Sequence, residues 1–222
     1  MIQSKTFGRK SGRMSGSEKE ILSNVLPAVA IKSDTFFDFH GIFGRSAPLF
    51  LEIGFGNGEF LYNLALHNPE ADFVGIEVYM SGVAKLLRRL TGYEKSHPPH
   101  PQYIRLVNDD ANTVLKNNFR DESLDGIYIL FPDPWPKKRH HKRRLISSES
   151  VGVMHRCLKK RGFVVVATDH DDYAEVIKET FASGSFRLTD TDLPEVRNTK
   201  YAQKAQLQGK SIHIFRFEKS LS

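Results

Sequence analysis

The sequence predicts an α/β fold, a doubly wound, mostly parallel sheet of seven strands flanked by helices. Three observations predict it. Five short, continuous apolar runs alternate with five segments of helical periodicity. The first run ends in a glycine-rich turn, Gly54-Phe55-Gly56-Asn57-Gly58. The second ends at Glu77, 19 residues after Gly58. An acid at that distance from such a turn is where a doubly wound sheet receives the ribose of a nucleoside.

In chain order, the apolar runs 47–54, 71–78, 102–108, 124–131 and 162–169 read as strands covered on both faces. Each is followed by a helical pattern, at 59–68, 81–92, 111–119, 148–162 and 172–181. Gly92 is placed to end the second of these and Gly162 the fourth. Segments 185–190 and 211–219 alternate apolar and polar residues and read as two antiparallel strands. Residues 1–20 are polar and basic and read as a flexible arm, with 21–222 as a single domain.

Composition narrows the function. The 222 residues carry a net charge of +6, with a pI near 9.3. The charge is concentrated. Lys5, Arg9, Lys10 and Arg13 occupy the first 17 residues with no acid among them, and Lys137–Arg144 holds six Lys or Arg and two His in eight positions. Such clusters suit a phosphate backbone. No apolar run approaches the roughly 18 residues of a membrane span, and the first residues lack the apolar stretch of a secretory signal. A lone cysteine, Cys157, allows no internal disulfide and no multi-cysteine zinc site, so a cytoplasmic protein is expected. His97 and His100 stand among prolines without an acid cluster, and no metal is expected.

In a doubly wound sheet the ligand lies outside the carboxyl ends of the strands, so the residues where each run stops are the candidates. The glycines permit close backbone approach, and Glu77 suits ribose hydroxyls. A nucleoside-containing cofactor follows, nicotinamide or S-adenosylmethionine being open on these residues alone. At Asn108-Asp109-Asp110 one acid is expected to cap the next helix and the other to read an adenine amino group. The fourth run stops at Phe131-Pro132-Asp133-Pro134-Trp135-Pro136, a turn made rigid by three prolines and continuous with the basic strip. A rigid acidic and aromatic turn joined to a basic track unites a reaction site with a polyanion path.

Several segments together resemble the tRNA (guanine-N7-)-methyltransferase family of class I methyltransferases. They are RKSGRMSGSE, LEIGFGNGEF, GIEVY, DPWPKKRHHKRRLI, the ATD at 167–169 and TKYAQKAQLQGKSIHIF. The resemblance implies the Rossmann-like fold of that class, S-adenosylmethionine as cofactor and tRNA as partner. The implied reaction is methylation of N7 of a guanine in the variable loop, without a metal. It implies cofactor contacts from Glu52, Gly54, Gly56, Glu77, Asp110 and Asp133, with Asp133 also at the reacting centre. Substrate contacts are implied for Lys137, Asp169, Thr199, Lys200 and Tyr201. Lys138, Arg139, Lys142, Arg143 and Arg144 are expected along the RNA backbone.

The family's Thr-x-aromatic-Glu motif reads Thr199-Lys200-Tyr201-Ala202 here, so the acid facing the guanine is absent and Glu195 is a substitute by proximity. That departure keeps open a non-catalytic tRNA-binding protein of the same fold, although the acids of the cofactor site speak for catalysis. An adenine amino-methyltransferase would carry Pro-Pro at the fourth strand end, where Pro134 is followed by Trp135. A small-molecule methyltransferase would have no use for the basic strip.

Overall fold

The computed structural model describes residues 14–92, 103–183, 185–190 and 193–220. His97, His100 and most of the basic arm lie outside them. The strands order as β3-β2-β1-β4-β5-β7-β6. They are β1 (Leu49–Ile53), β2 (Asp72–Ile76), β3 (Ile104–Val107), β4 (Leu124–Leu130), β5 (Leu158–Thr168), β6 (Phe186–Thr189) and β7 (His213–Lys219). Pairings β1–β2, β2–β3 and β4–β5 are parallel, whereas β7 runs antiparallel to both β5 and β6. The described residues fall into two compact units divided at Asn118/Phe119.

The first unit holds β1–β3 with helices α1 (Gly16–Val29), α2 (Phe39–Phe43), α3 (Glu59–His67), α4 (Met80–Leu90) and α5 (Ala111–Asn118). All five positions of β2 are buried, which explains its apolar run at 73–76, and the buried Asp72 at its start is paired with Arg45 at 2.8 Å. Leu61, Phe73, Val83, Leu86, Leu87 and Leu106 lie in one core. The expected arm ends sooner than residue 20. Ser15 and Glu18 form a capping box, the Glu18 amide donating to Ser15 Oγ at 3.2 Å and the Ser15 amide to Glu18 Oε2 at 2.8 Å. With the first orphan amides satisfied, the chain is helical from Gly16. Beyond α1, Ala30 bridges Leu106 and the Ile31 amide donates to the Leu106 carbonyl, which shields the edge strand β3.

The second unit holds β4–β7, a 3-10 turn over Lys138–Arg143, and helices α6 (Ser148–Cys157), α7 (Asp171–Ala182), α8 (Pro194–Arg197) and α9 (Lys200–Leu207). The helix expected to reach Gly162 stops at Cys157, and β5 begins at once with Leu158. Sheet pairing overrides helical periodicity there. Leu158 aligns with Leu124, Lys159 pairs with Asp125 at 2.6 Å, and Arg161 takes a positive φ of 64° where the register shifts. Cys157 is fully buried, and burial pushes its thiol up to about 11, the behaviour of a packing residue.

Candidate functional site

In the first unit the glycine turn leaves β1 with three left-handed residues, Gly54 (φ 72°), Gly56 (φ 57°) and Gly58 (φ 71°). Only glycine adopts these angles without strain. A Cβ on Gly54 or Gly56 would meet nothing within 4 Å, so these two peptides face open space. On its other side the turn is closed in. A Cβ on Gly82 of α4 would run into the Gly56 carbonyl oxygen. The Gly56 and Tyr79 amides each donate to the Glu77 carboxylate at 2.9 Å, and Asn108 Nδ2 donates to the Glu77 carbonyl oxygen at 2.6 Å. The acid at the end of β2 is thereby locked beside the glycine turn.

Glu52 on β1 is buried, and its Oε2 has no hydrogen-bond partner. Burial, and then the charge of Glu77, pushes its carboxyl up to about 8, while the Leu61 amide acts in the opposite direction. Of the two acids after β3, Asp110 caps α5, its Oδ1 accepting from the Thr113 amide at 3.1 Å. Asp109 accepts from Ser33 Oγ at 2.7 Å and from the Asp110 amide at 2.7 Å. The capping acid is therefore Asp110. Bare backbone at Gly54 and Gly56, an anchored Glu77 and an orphaned Glu52 oxygen fit a nucleoside-bearing ligand. The backbone would approach it closely, and acids would accept from its hydroxyl or ammonium hydrogens.

In the second unit the turn after β4 is strained at both ends. Phe131 (φ 54°) and Trp135 (φ 44°) are left-handed non-glycine residues, of a kind that concentrates at functional sites. Asp133 is exposed between them. The Arg143 guanidinium lies 4.5 Å over the Trp135 ring, and His140 meets that ring edge-on at 5.7 Å. Lys137, Lys138, Arg139 and Lys142 are exposed, as a phosphate track requires.

Arg144 departs from that expectation. It is buried, its Nε donates to the Pro134 carbonyl oxygen at 2.8 Å, and its guanidinium lies 4.7 Å over the Tyr173 ring. Its Nε is bonded inside the fold and its side chain is buried, unlike the exposed lysines of the strip.

At the end of β5, Asp169 pairs with Lys210 at 2.5 Å, and that partner raises the Lys210 ammonium above its ordinary range. The buried Thr199 hydroxyl donates to the Val196 carbonyl oxygen and accepts from the Ala202 amide at the start of α9. These bonds cap α9. Lys200 and Tyr201 are exposed on the first turn of that helix, and the Tyr201 ring lies 4.9 Å from that of Phe131. Ala202 is fully buried, whereas Glu195 is exposed on α8. Lys210 and Tyr173 escape sequence reasoning because neither belongs to a strand end or to a charge cluster. Among the described residues no group of three or more His, Cys, Asp or Glu side chains could hold a metal ion.

A family model described as "Putative methyltransferase" matches residues 46–215. The chain is 41% identical over 220 residues to a tRNA (guanine-N(7)-)-methyltransferase of Nitrosococcus oceani, covering 97% of this chain and 91% of the relative. It is 38% identical over 222 residues to the enzyme of that name from Nitrosospira multiformis, covering 97% and 94%. Among solved structures, an antibiotic-related methyltransferase superposes with a TM-score of 0.60 at 19% identity, covering 86% of this chain and 95% of the other, which shows the fold alone.

Proposed function

This chain belongs to the tRNA (guanine-N(7)-)-methyltransferase family, and on that premise we propose that it transfers the methyl group of S-adenosylmethionine to N7 of a guanine in tRNA. The single observation that carries this reading is similarity over nearly the whole length of a relative with that name. The target is a guanine in the variable loop, and the site of action is the cytoplasm. No described helix is long and apolar enough to cross a membrane.

When bound, S-adenosylmethionine supplies an electrophilic methyl group on a positively charged sulfur. Guanine N7 carries an in-plane lone pair and no proton, so no residue need act as a general base. The chain has to orient the reactants and supply a favourable field as positive charge moves to the purine. Gly54 and Gly56 offer bare backbone to the cofactor. The Glu77 carboxylate, held beside the glycine turn by the Gly56 and Tyr79 amides, accepts from the ribose hydroxyls. Glu52 and Asp110 complete the acidic lining. Asp133 orients the reactants and stabilises the developing charge. Asp169 accepts from the guanine N1–H and N2–H edge, the part that Ala202 cannot play, and so selects guanine over adenine. Lys137, Lys200 and Tyr201 hold the substrate nucleotide. Lys138, Arg139, Lys142 and Arg143 meet phosphates, which strengthens binding without reading sequence.

The test is to incubate the protein with labelled S-adenosylmethionine and unmodified tRNA, digest the RNA and identify the methylated nucleoside. 7-Methylguanosine is expected. Cofactor binding without 7-methylguanosine on any tRNA would leave the fold and overturn the reaction.

A further inference from the structure

We propose that Arg144 is a positioning residue for the reaction, a guanidinium clamp that fixes the Asp133 turn to α7, and is not part of the phosphate track in which it is embedded. The proposal rests on the methyl-transfer reading of the Asp133 turn. In sequence Arg144 is the last of eight basic and histidine residues and looks like its neighbours. In the fold it is 6% exposed, whereas Lys138, Arg139 and Lys142 are in solvent.

The geometry states what the side chain does. Its Nε donates at 2.8 Å to the carbonyl oxygen of Pro134, the residue directly after Asp133. That carbonyl belongs to the peptide entering Trp135, whose φ of 44° is a strained value. A strained peptide persists only where its surroundings over-determine it, and the Arg144 bond fixes that peptide plane. The flat guanidinium then lies 4.7 Å over the ring of Tyr173. Tyr173 is itself anchored. It is fully buried in α7, and its hydroxyl accepts from the Ile146 amide at 3.2 Å. Because α7 follows directly on the strand ending in Thr168, the clamp ties the Asp133 turn to the element just beyond Asp169.

Chemistry requires arginine here. A planar group donates in its plane from Nε and stacks through its face, and an ammonium does neither in that combination. A phosphate contact is less demanding, since a lysine can serve it as a point charge.

The test compares wild type, R144K and R144Q, after wild type has been shown to form 7-methylguanosine. If wild type forms none, it is the methyl-transfer reading that fails. Three quantities are measured: kcat with tRNA, the salt dependence of KM for tRNA, and the fluorescence of Trp135. Trp135 is the single tryptophan of the chain, so its emission and acrylamide quenching report on the clamped turn directly. Circular dichroism selects the variant that keeps wild-type secondary structure, and R144Q serves if R144K does not fold.

In either variant kcat should fall by about 10-fold or more, as loss of near-attack geometry does. The Trp135 signal should change, and the salt slope of KM should stay that of wild type. As a comparison, Lys138→Ala should lower that slope by about one. A kcat for R144K within twofold of wild type overturns the proposal. So does a slope lowered by about one in R144Q, which would return Arg144 to the phosphate track.

Discussion

The Gly56 amide donates to the Glu77 carboxylate at 2.9 Å, so the acid that ends β2 is held by the glycine turn that ends β1. The Tyr79 amide holds the other oxygen at 2.9 Å. Glu77 therefore shapes the turn, and the proposed ribose contact gives it a second, testable task. Glu77→Gln turns one oxygen into a donor facing an amide N–H. Loss of a hydrogen bond to a charged group costs about 1.5–3 kcal/mol, which corresponds to roughly 10- to 100-fold weaker S-adenosylmethionine binding by calorimetry. An affinity within threefold of wild type would remove Glu77 from the ligand.

The same turn makes Gly82 indispensable. A Cβ there meets the Gly56 carbonyl oxygen, a backbone atom that cannot swing aside as a side chain would. Gly82→Ala should cost about 1–3 kcal/mol in urea unfolding and weaken cofactor binding at the same time. Loss of stability with unchanged affinity would separate α4 from the ligand turn.

Glu52 makes stability depend on pH. Its carboxyl is raised in the folded chain from 4.5 to about 8, chiefly by burial. The folded state thus binds more protons than the unfolded one between those values. The stabilisation is complete below pH 4.5 and is lost as pH rises through about 8. Without cofactor, Glu52→Gln should flatten the fall in Tm across that window. At pH 8.5 its Tm relative to wild type should be higher by about 2 °C or more than at pH 5. Parallel Tm curves for the two proteins would show that Glu52 does not titrate in this window.

Asp133 is exposed on a turn strained at both ends, an arrangement that serves orientation better than packing. Asp133→Asn should lower kcat by about 10²–10³, the usual loss for a well-placed electrostatic group, and leave Tm unchanged. A loss under threefold would sink the assignment.

Much of the fold was legible because its signals are local. Unbroken apolar runs mark strands covered on both faces, alternation marks the antiparallel β7, and glycine marks positive φ. The positions of the Gly54–Gly58 turn and of Glu77 were legible for the same reason, since both sit where their strands end. The start of α1 at Gly16 depends on the Ser15–Glu18 capping box, a signal of two polar residues within a polar, basic stretch. The end of α6 was hidden, because the pairing of Leu158 with Leu124 joins residues far apart in the chain.

What the sequence alone determined is the alternation of elements, the contiguous Asp133 turn with its basic strip, and through them the family. The tertiary structure decided how residues of one type divide their work. Asp110 caps α5 while Asp109 binds Ser33, and Thr199 caps α9. Asp169 finds Lys210 41 positions along the chain. Arg144 leaves the basic strip for the buried ring of Tyr173. The physical reason is common to all of these. Charge and hydrogen-bonding capacity are properties of a residue, but burial and the choice of partner come from chain segments that meet only on folding.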